Sequence, residues 1–210
     1  PDLLEEIVDG GHEVGHHGNH HENPARLERD DEKRVLEEGL AILEGMTGRR
    51  PVGWRSPGGY VTSSTFELLI EAGFSYDSSL MGHDVRPYWC RLNDRWVKNE
   101  GVEWGEEVDL VELPWAWHLD DFPWFEYIPP QGGNLTAPSA VLETWLGDLD
   151  WALAHEPGGV LTYTMHPQVI GRGNRMLMLE QLLDEVEKRG VGFTTLEDAA
   201  TNWRAAHPFS

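Results

Sequence analysis

The chain has 210 residues, enough for a single domain over 1–210 with a sizeable core, and ten tryptophans within a 40% hydrophobic composition exclude a disordered chain. Thirty-seven acidic residues against sixteen basic ones give a formal charge of −21, a field of the wrong sign for nucleic-acid backbones and anionic membranes. No apolar run approaches the roughly 20 residues of a membrane helix, and the single Cys90 excludes an intrachain disulfide.

The chain opens within a helical pattern, Asp2 to Asp9, closed by Gly10. A second helix is expected from Asn23-Pro24 to Gly45, with Leu27, Val35, Leu36, Leu40 and Leu43 on its apolar face. Residues 51–55 read as a short strand running into the turn Ser56-Pro57-Gly58-Gly59. Hydroxyls from Thr62 to Thr65 then cap a helix that ends at Gly73. Residues 74–80 are strand-like, and 81–108 form a loop-rich excursion. A strand returns at 110–114, followed by an irregular stretch over 115–133. A helix over 138–155, a strand over 160–165, a helix over 175–189, a strand over 191–195 and a last helix complete the chain. This alternation predicts a parallel α/β fold, in which chemistry gathers just after strand ends. Arg55, Asp77, the stretch from Trp115 to Asp121, and His166 occupy such positions.

Five of the ten histidines fall between Gly11 and Glu22. Neutral imidazole is the commonest side-chain metal ligand, and a helical face could aim two of them at one ion from i and i+4. His12/His16, His16/His20 and His17/His21 have that spacing. The lysine-poor acidic composition, with only Lys33, Lys98 and Lys188, suits a high-salt milieu in which counterions screen self-repulsion.

Taken in order, three motifs resemble those of the polysaccharide deacetylases, the carbohydrate esterase 4-like family with a NodB-type catalytic domain. Gly11-His12-Glu13-Val14-Gly15 leads into His17-x-x-x-His21, Arg55-Ser56-Pro57 matches an Arg-x-Pro motif, and Met165-His166-Pro167 matches the late histidine. Gly58-Gly59, the stretch from Leu113 to Asp121 and the segment after His166 are most similar to a less typical branch. That branch holds peptidoglycan-deacetylase homologues, allantoinase-like proteins and cyclic imidases. The resemblance implies a distorted (β/α) barrel and a divalent metal, expected to be zinc, on His17 and His21.

In that family an Asp from an upstream acidic motif completes the metal site and a second Asp is the base. No such motif precedes His17, so the third ligand is missing from this sequence, and Glu13, Glu22 and Asp84 are the open candidates to replace it. The expectation is a domain without its first strand region, prone to self-association through an exposed edge. The resemblance also implies His166 as general acid and Arg55 as the group that orients a carboxylate. Asp77 is expected to pair with Arg55 or to accept the other N–H of His166, a role open equally to Asp120 and Asp121. Gly58, Gly59, Trp117 and Asp121 are expected at the substrate, although Trp115, Trp117, Phe122, Trp124 and Phe125 also suit a packed lid.

The function expected is metal-dependent hydrolysis of a carbon–nitrogen bond in an N-acetylated amino-sugar polymer or oligosaccharide. Opening of a small cyclic amide or imide is the second reading, and a chain that only binds metal or ligand is the third. A cytoplasmic location is expected ahead of a secreted one.

Overall fold

The computed structural model describes residues 2–209. Eight helices and eight strands follow one another as α1 (Asp2–Asp9), α2 (Arg29–Thr47), β1 (Gly53–Trp54), α3 (Thr65–Ala72), β2 (Tyr76–Asp77), β3 (Tyr88–Leu92), β4 (Arg95–Val97), β5 (Gly101–Glu103), β6 (Glu106–Glu112), α4 (Asp121–Phe125), β7 (Tyr127–Ile128), β8 (Gly132–Gly133), α5 (Pro138–His155), α6 (Pro167–Ile170), α7 (Gly173–Lys188) and α8 (Leu196–Ala206) among the described residues. They form two compact units, one of residues 2–80, 87–113 and 195–209, the other of 81–86 and 114–194.

The first unit is built on a four-stranded sheet in the order β1-β2-β6-β3. Its first three strands are parallel, with Trp54 beside Asp77 and Asp77 beside Glu112, and β3 runs antiparallel to β6. His16 extends the sheet by one parallel bridge to Trp54. One face is covered by Leu36 and Leu40 of α2 and by Phe66, Leu68 and Leu69 of α3, which enclose Trp54, Phe74, Cys90 and Leu110. Burial of such side chains contributes roughly 1.5–3 kcal/mol each.

The second unit packs α5 against α7. Val141, Trp145 and Leu149 lie four residues apart along one face, as do Met178, Leu182 and Val186 along the other. Val169, Ile170, Leu119 and Phe125 close this core. Trp145 donates through Nε1 to His118 O at 2.8 Å, so its indole is buried without an orphaned N–H.

Several expected elements shift. Residues 24–26 form a separate 3₁₀ turn capped by the Asn23 side chain, so α2 begins only at Arg29. The expected loop over 81–108 contains β3, the β4–β5 hairpin and the start of β6. The expected strand over 160–165 is reduced to an isolated bridge at Thr164, which pairs with Asp120. Residues 191–195 join no ladder.

His16 shows how tightly the first unit is assembled. Its ring is 1% exposed, 4.9 Å from that of Trp54, and its Nε2 donates to Leu36 O at 3.1 Å. Nδ1 accepts from Gly18 N at 3.2 Å. Gly39 of α2 makes this possible, because a Cβ there would lie 2.4 Å from His16 Nε2. Both ring nitrogens are satisfied only in the neutral form, and burial lowers the His16 pKa from 6.5 to about 4. The unfolded chain therefore takes up this proton first as pH falls. The stabilisation is full above pH 6.5 and is lost between pH 6.5 and about 4, a change of about 3 kcal/mol. Urea unfolding across that window should show this loss, and His16→Leu should remove its share of the slope.

Candidate active site

The histidine tract is not a helix. His16 is extended beside β1, and the chain then turns through Gly18 at φ 75° and His21 at φ 58°. This turn, rather than a helical face, brings the rings of His17 and His21 to 5.1 Å between centroids, nearly perpendicular at 76°. Both side chains are exposed. His17 Nδ1 lies 2.7 Å from Arg55 O. A carbonyl can only accept, so Nδ1 carries the proton and Nε2 the lone pair, the tautomer a metal-ligating histidine needs. The donor chemistry of the pair thus fits a divalent ion. His12 and His20 are exposed, whereas His16 is a core residue.

The candidate replacement carboxylates of this loop are already engaged. Glu13 accepts from the Tyr76 hydroxyl at 2.6 Å and from Glu197 N at 2.9 Å. Glu22 accepts from Asn19 N at 2.9 Å and from His20 N at 2.7 Å. Partial burial pushes the Glu22 carboxyl up, but these N–H bonds outweigh it and hold it below the usual range. Asp84 is an exposed residue of the second unit.

Arg55 follows β1, and its guanidinium is held by the end of β2. Nε donates to Ser78 O at 2.8 Å and Nη2 to Ser78 Oγ at 2.5 Å, while Ser78 Oγ donates to Leu113 O at 2.6 Å. Ser79 Oγ accepts from Ser56 N at 2.8 Å and donates to Asp77 Oδ1 at 2.7 Å. Gly58 and Gly59 continue from this point in left-handed conformations of φ 65° and 70°, which form the turn after Pro57.

Asp77 is fully buried and hydrogen-bonds to Glu112, which is also fully buried. Glu112 accepts from Leu80 N at 2.9 Å. Burial pushes both carboxyls up, and the charge of Asp77 and the hydrogen bond between the two raise Glu112 further, so the pair is held together by a shared proton. Asp77 is thus engaged by Glu112 and accepts from Ser79 N at 3.2 Å and from Ser79 Oγ. The carboxylate expected to orient His166 is a different one.

That carboxylate is Asp121, at the start of α4. Its Oδ1 lies 2.7 Å from His166 Nδ1, and its oxygens also accept from His166 N at 3.2 and 3.1 Å. Asp121, expected at the substrate, is 0% exposed and hydrogen-bonded to His166, an arrangement suited to orienting the histidine. The hydrogen bond places the ring proton on Nδ1 and turns the Nε2 lone pair outward. Asp120 caps α4 by accepting from Phe122 N at 2.8 Å. Asp120, Asp121 and His166 present donor atoms within 4.8 Å of one another and could hold a metal ion. An ion on His166 Nδ1 would have to replace the proton now shared with Asp121.

The aromatic stretch divides between packing and exposure. Trp115 and Phe125 are buried, and Trp124 Nε1 donates to His118 O at 2.9 Å. Trp117 is 44% exposed and meets Trp115 edge-on at 4.6 Å, so it alone of these five presents a largely accessible face.

Glu112, Ser78 and Ser79 are the polar residues that sequence reasoning missed. A signal existed for Glu112, since a carboxyl inside the apolar run Leu110 to Leu113 must find a partner when the strand is buried. Glu112→Gln keeps both an acceptor for Leu80 N and a donor for Asp77, so its unfolding free energy should stay within about 1 kcal/mol of the parent. Glu112→Ala strands Asp77 and should cost about 3–5 kcal/mol in chemical denaturation.

Comparison with known proteins places this geometry. The polysaccharide deacetylase family model matches residues 1–76. Peptidoglycan deacetylase from Helicobacter pylori is 35% identical over 215 residues, an alignment spanning 96% of this chain and 73% of the relative. A solved structure from Mycobacterium smegmatis assigned to the polysaccharide deacetylases has a TM-score of 0.81 at 32% identity, covering 98% of this chain and 68% of its own. Puue allantoinase has the same TM-score, 0.81, at 25% identity, with 100% of this chain and 65% of the neighbour covered. The α/β fold is thus of the NodB type, and with 35% identity across nearly its whole length to a deacetylase the chain belongs to the polysaccharide deacetylase family of hydrolases.

Proposed function

We propose that this chain hydrolyses the N-acetyl groups of an amino-sugar polymer or oligosaccharide with the help of a divalent metal, zinc by the preference of its imidazole donors. The observation that carries the reading is the His17–His21 pair, at 5.1 Å between ring centroids with His17 fixed in its ligating tautomer. The relation to a peptidoglycan deacetylase supports the substrate class.

His17 and His21 would hold the ion, which when bound lowers the pKa of water and polarises the acyl carbonyl. The water oxygen joins the acyl carbon, the C–N bond breaks, and the departing nitrogen needs a proton. Asp121 keeps Nδ1–H in place and the ring aimed, so the His166 Nε2 lone pair would take the proton that the attacking water loses and pass it to that nitrogen. Arg55, held on Ser78, presents a fixed positive charge to a carboxylate or a developing oxyanion. The half-exposed Trp117 offers a flat face to a pyranose ring.

The likeness to Puue allantoinase favours a second reading, opening of a small cyclic amide by the same groups. The two are separated by supplying zinc and assaying acetate release from N-acetylated chito-oligosaccharides beside ring opening of succinimide. Acetate release without imide opening supports the proposal. The reverse selects the second reading, and turnover of neither substrate overturns both. In whichever reaction proceeds, Asp121→Asn should lower kcat by about 10²–10⁴-fold with little change in KM, because the ring loses its tautomer rather than its substrate contacts.

A further inference from the structure

The segment from His17 to His21 reverses direction without joining a helix or strand, so its backbone N–H groups need local acceptors. Glu22 supplies two. Oε1 accepts from Asn19 N at 2.9 Å and Oε2 from His20 N at 2.7 Å, so the carboxylate spans the peptide between the two histidines. The fit is close. At Gly18, φ 75°, a Cβ would lie 2.8 Å from Glu22 Oε1 and 3.0 Å from Pro57 Cγ. His21 sits at φ 58°, a conformation that a residue with a Cβ adopts only when its surroundings impose it.

We propose that Glu22 is a positioning residue for the metal pair, an ionised acceptor that folds the 17–21 loop so that His17 and His21 stand ready for an ion. The inference rests on the reading that these two histidines hold the metal. It assigns Glu22 a task different from that of a replacement ligand. Each Glu22 oxygen ends on a loop amide, and a metal bond from either would compete with the hydrogen bond that shapes the turn. An ionised carboxylate suits this work because both oxygens accept and neither donates. Preorganisation matters at a site with two protein imidazoles, since ordering the loop would otherwise be charged against every binding event.

Two measurements on the full chain test it. Zinc affinity is measured by calorimetry, and amide hydrogen exchange at Asn19 and His20 is measured in metal-free protein. Glu22→Ala should weaken zinc binding by about 10–100-fold and accelerate exchange at both amides. Glu22→Gln keeps one acceptor oxygen and should fall between Ala and the parent in both readouts. Parent-like zinc affinity in Glu22→Ala overturns the proposal. So does weakened zinc binding with unchanged amide exchange, which would make Glu22 a ligand. The underlying metal reading fails separately, if His17→Ala and His21→Ala leave zinc affinity unchanged.

Discussion

A parallel sheet whose first two strands are two residues long has few ladder bonds with which to hold its register, and everything near those strand ends depends on how that deficit is made good. Side chains make it good. Ser79 joins Asp77 to the backbone of Ser56, Ser78 joins Arg55 to Leu113, and Glu112 joins Asp77 to Leu80. These bonds lie in a buried layer where an unsatisfied polar atom costs about 1–3 kcal/mol, so each partner constrains the next. Arg55 takes its direction from this lattice, and its carbonyl in turn fixes the tautomer of His17. The polar lattice beneath the sheet end thereby becomes the scaffold for chemistry above it.

The histidine tract illustrates how one residue type can serve unlike purposes within a few positions. His16 is pulled into the core because the chain is extended there and Gly39 leaves room for its ring. His17, one residue on, faces the other way, as alternation along an extended backbone requires. His21 returns to the same side only because the chain has turned. A helix would have spread five histidines around its circumference with no such division between core and surface. Burial keeps His16 neutral, and the position of its proton is dictated by Leu36 O on one side and Gly18 N on the other. It packs as a structural residue.

Much of the helical framework was legible. Pro138 opens α5 and Gly73 closes α3 in the left-handed form, as local chemistry requires. The strands were harder to read, for a physical reason. Val160 to Met165 has strand composition, yet composition reports an extended backbone and says nothing about whether a neighbour presents a ladder. Conversely, β3 with Tyr88 and Trp89 lay inside a stretch whose tryptophans and glycines obscured its period. In the site, the spacing of His17 and His21 was readable, although it is a tight turn and not a helical face that brings i and i+4 together. The choice of Asp121 over Asp77 and Asp120 was beyond reach. All three lie at strand ends or turns, and only the fold tells which one meets His166.

Asp121 and Glu22 nonetheless share a design that is chemical rather than positional. Each is a carboxylate that accepts backbone N–H groups while serving an imidazole function, Asp121 directly at Nδ1 and Glu22 through the loop that carries two rings. A neutral amide in either place would keep the shape but turn a donor group toward an N–H. An apolar residue would leave those N–H groups without their present acceptors. Ionised acceptors remove the ambiguity, because a carboxylate dictates the direction of every hydrogen bond it receives. Such bonds are also stronger than neutral ones, so they can offset the cost of a non-glycine residue at positive φ such as His21. On this argument part of the acidic excess is internal equipment. Asp77, Asp120 and Asp121 are buried, and each accepts a neighbour's hydrogen.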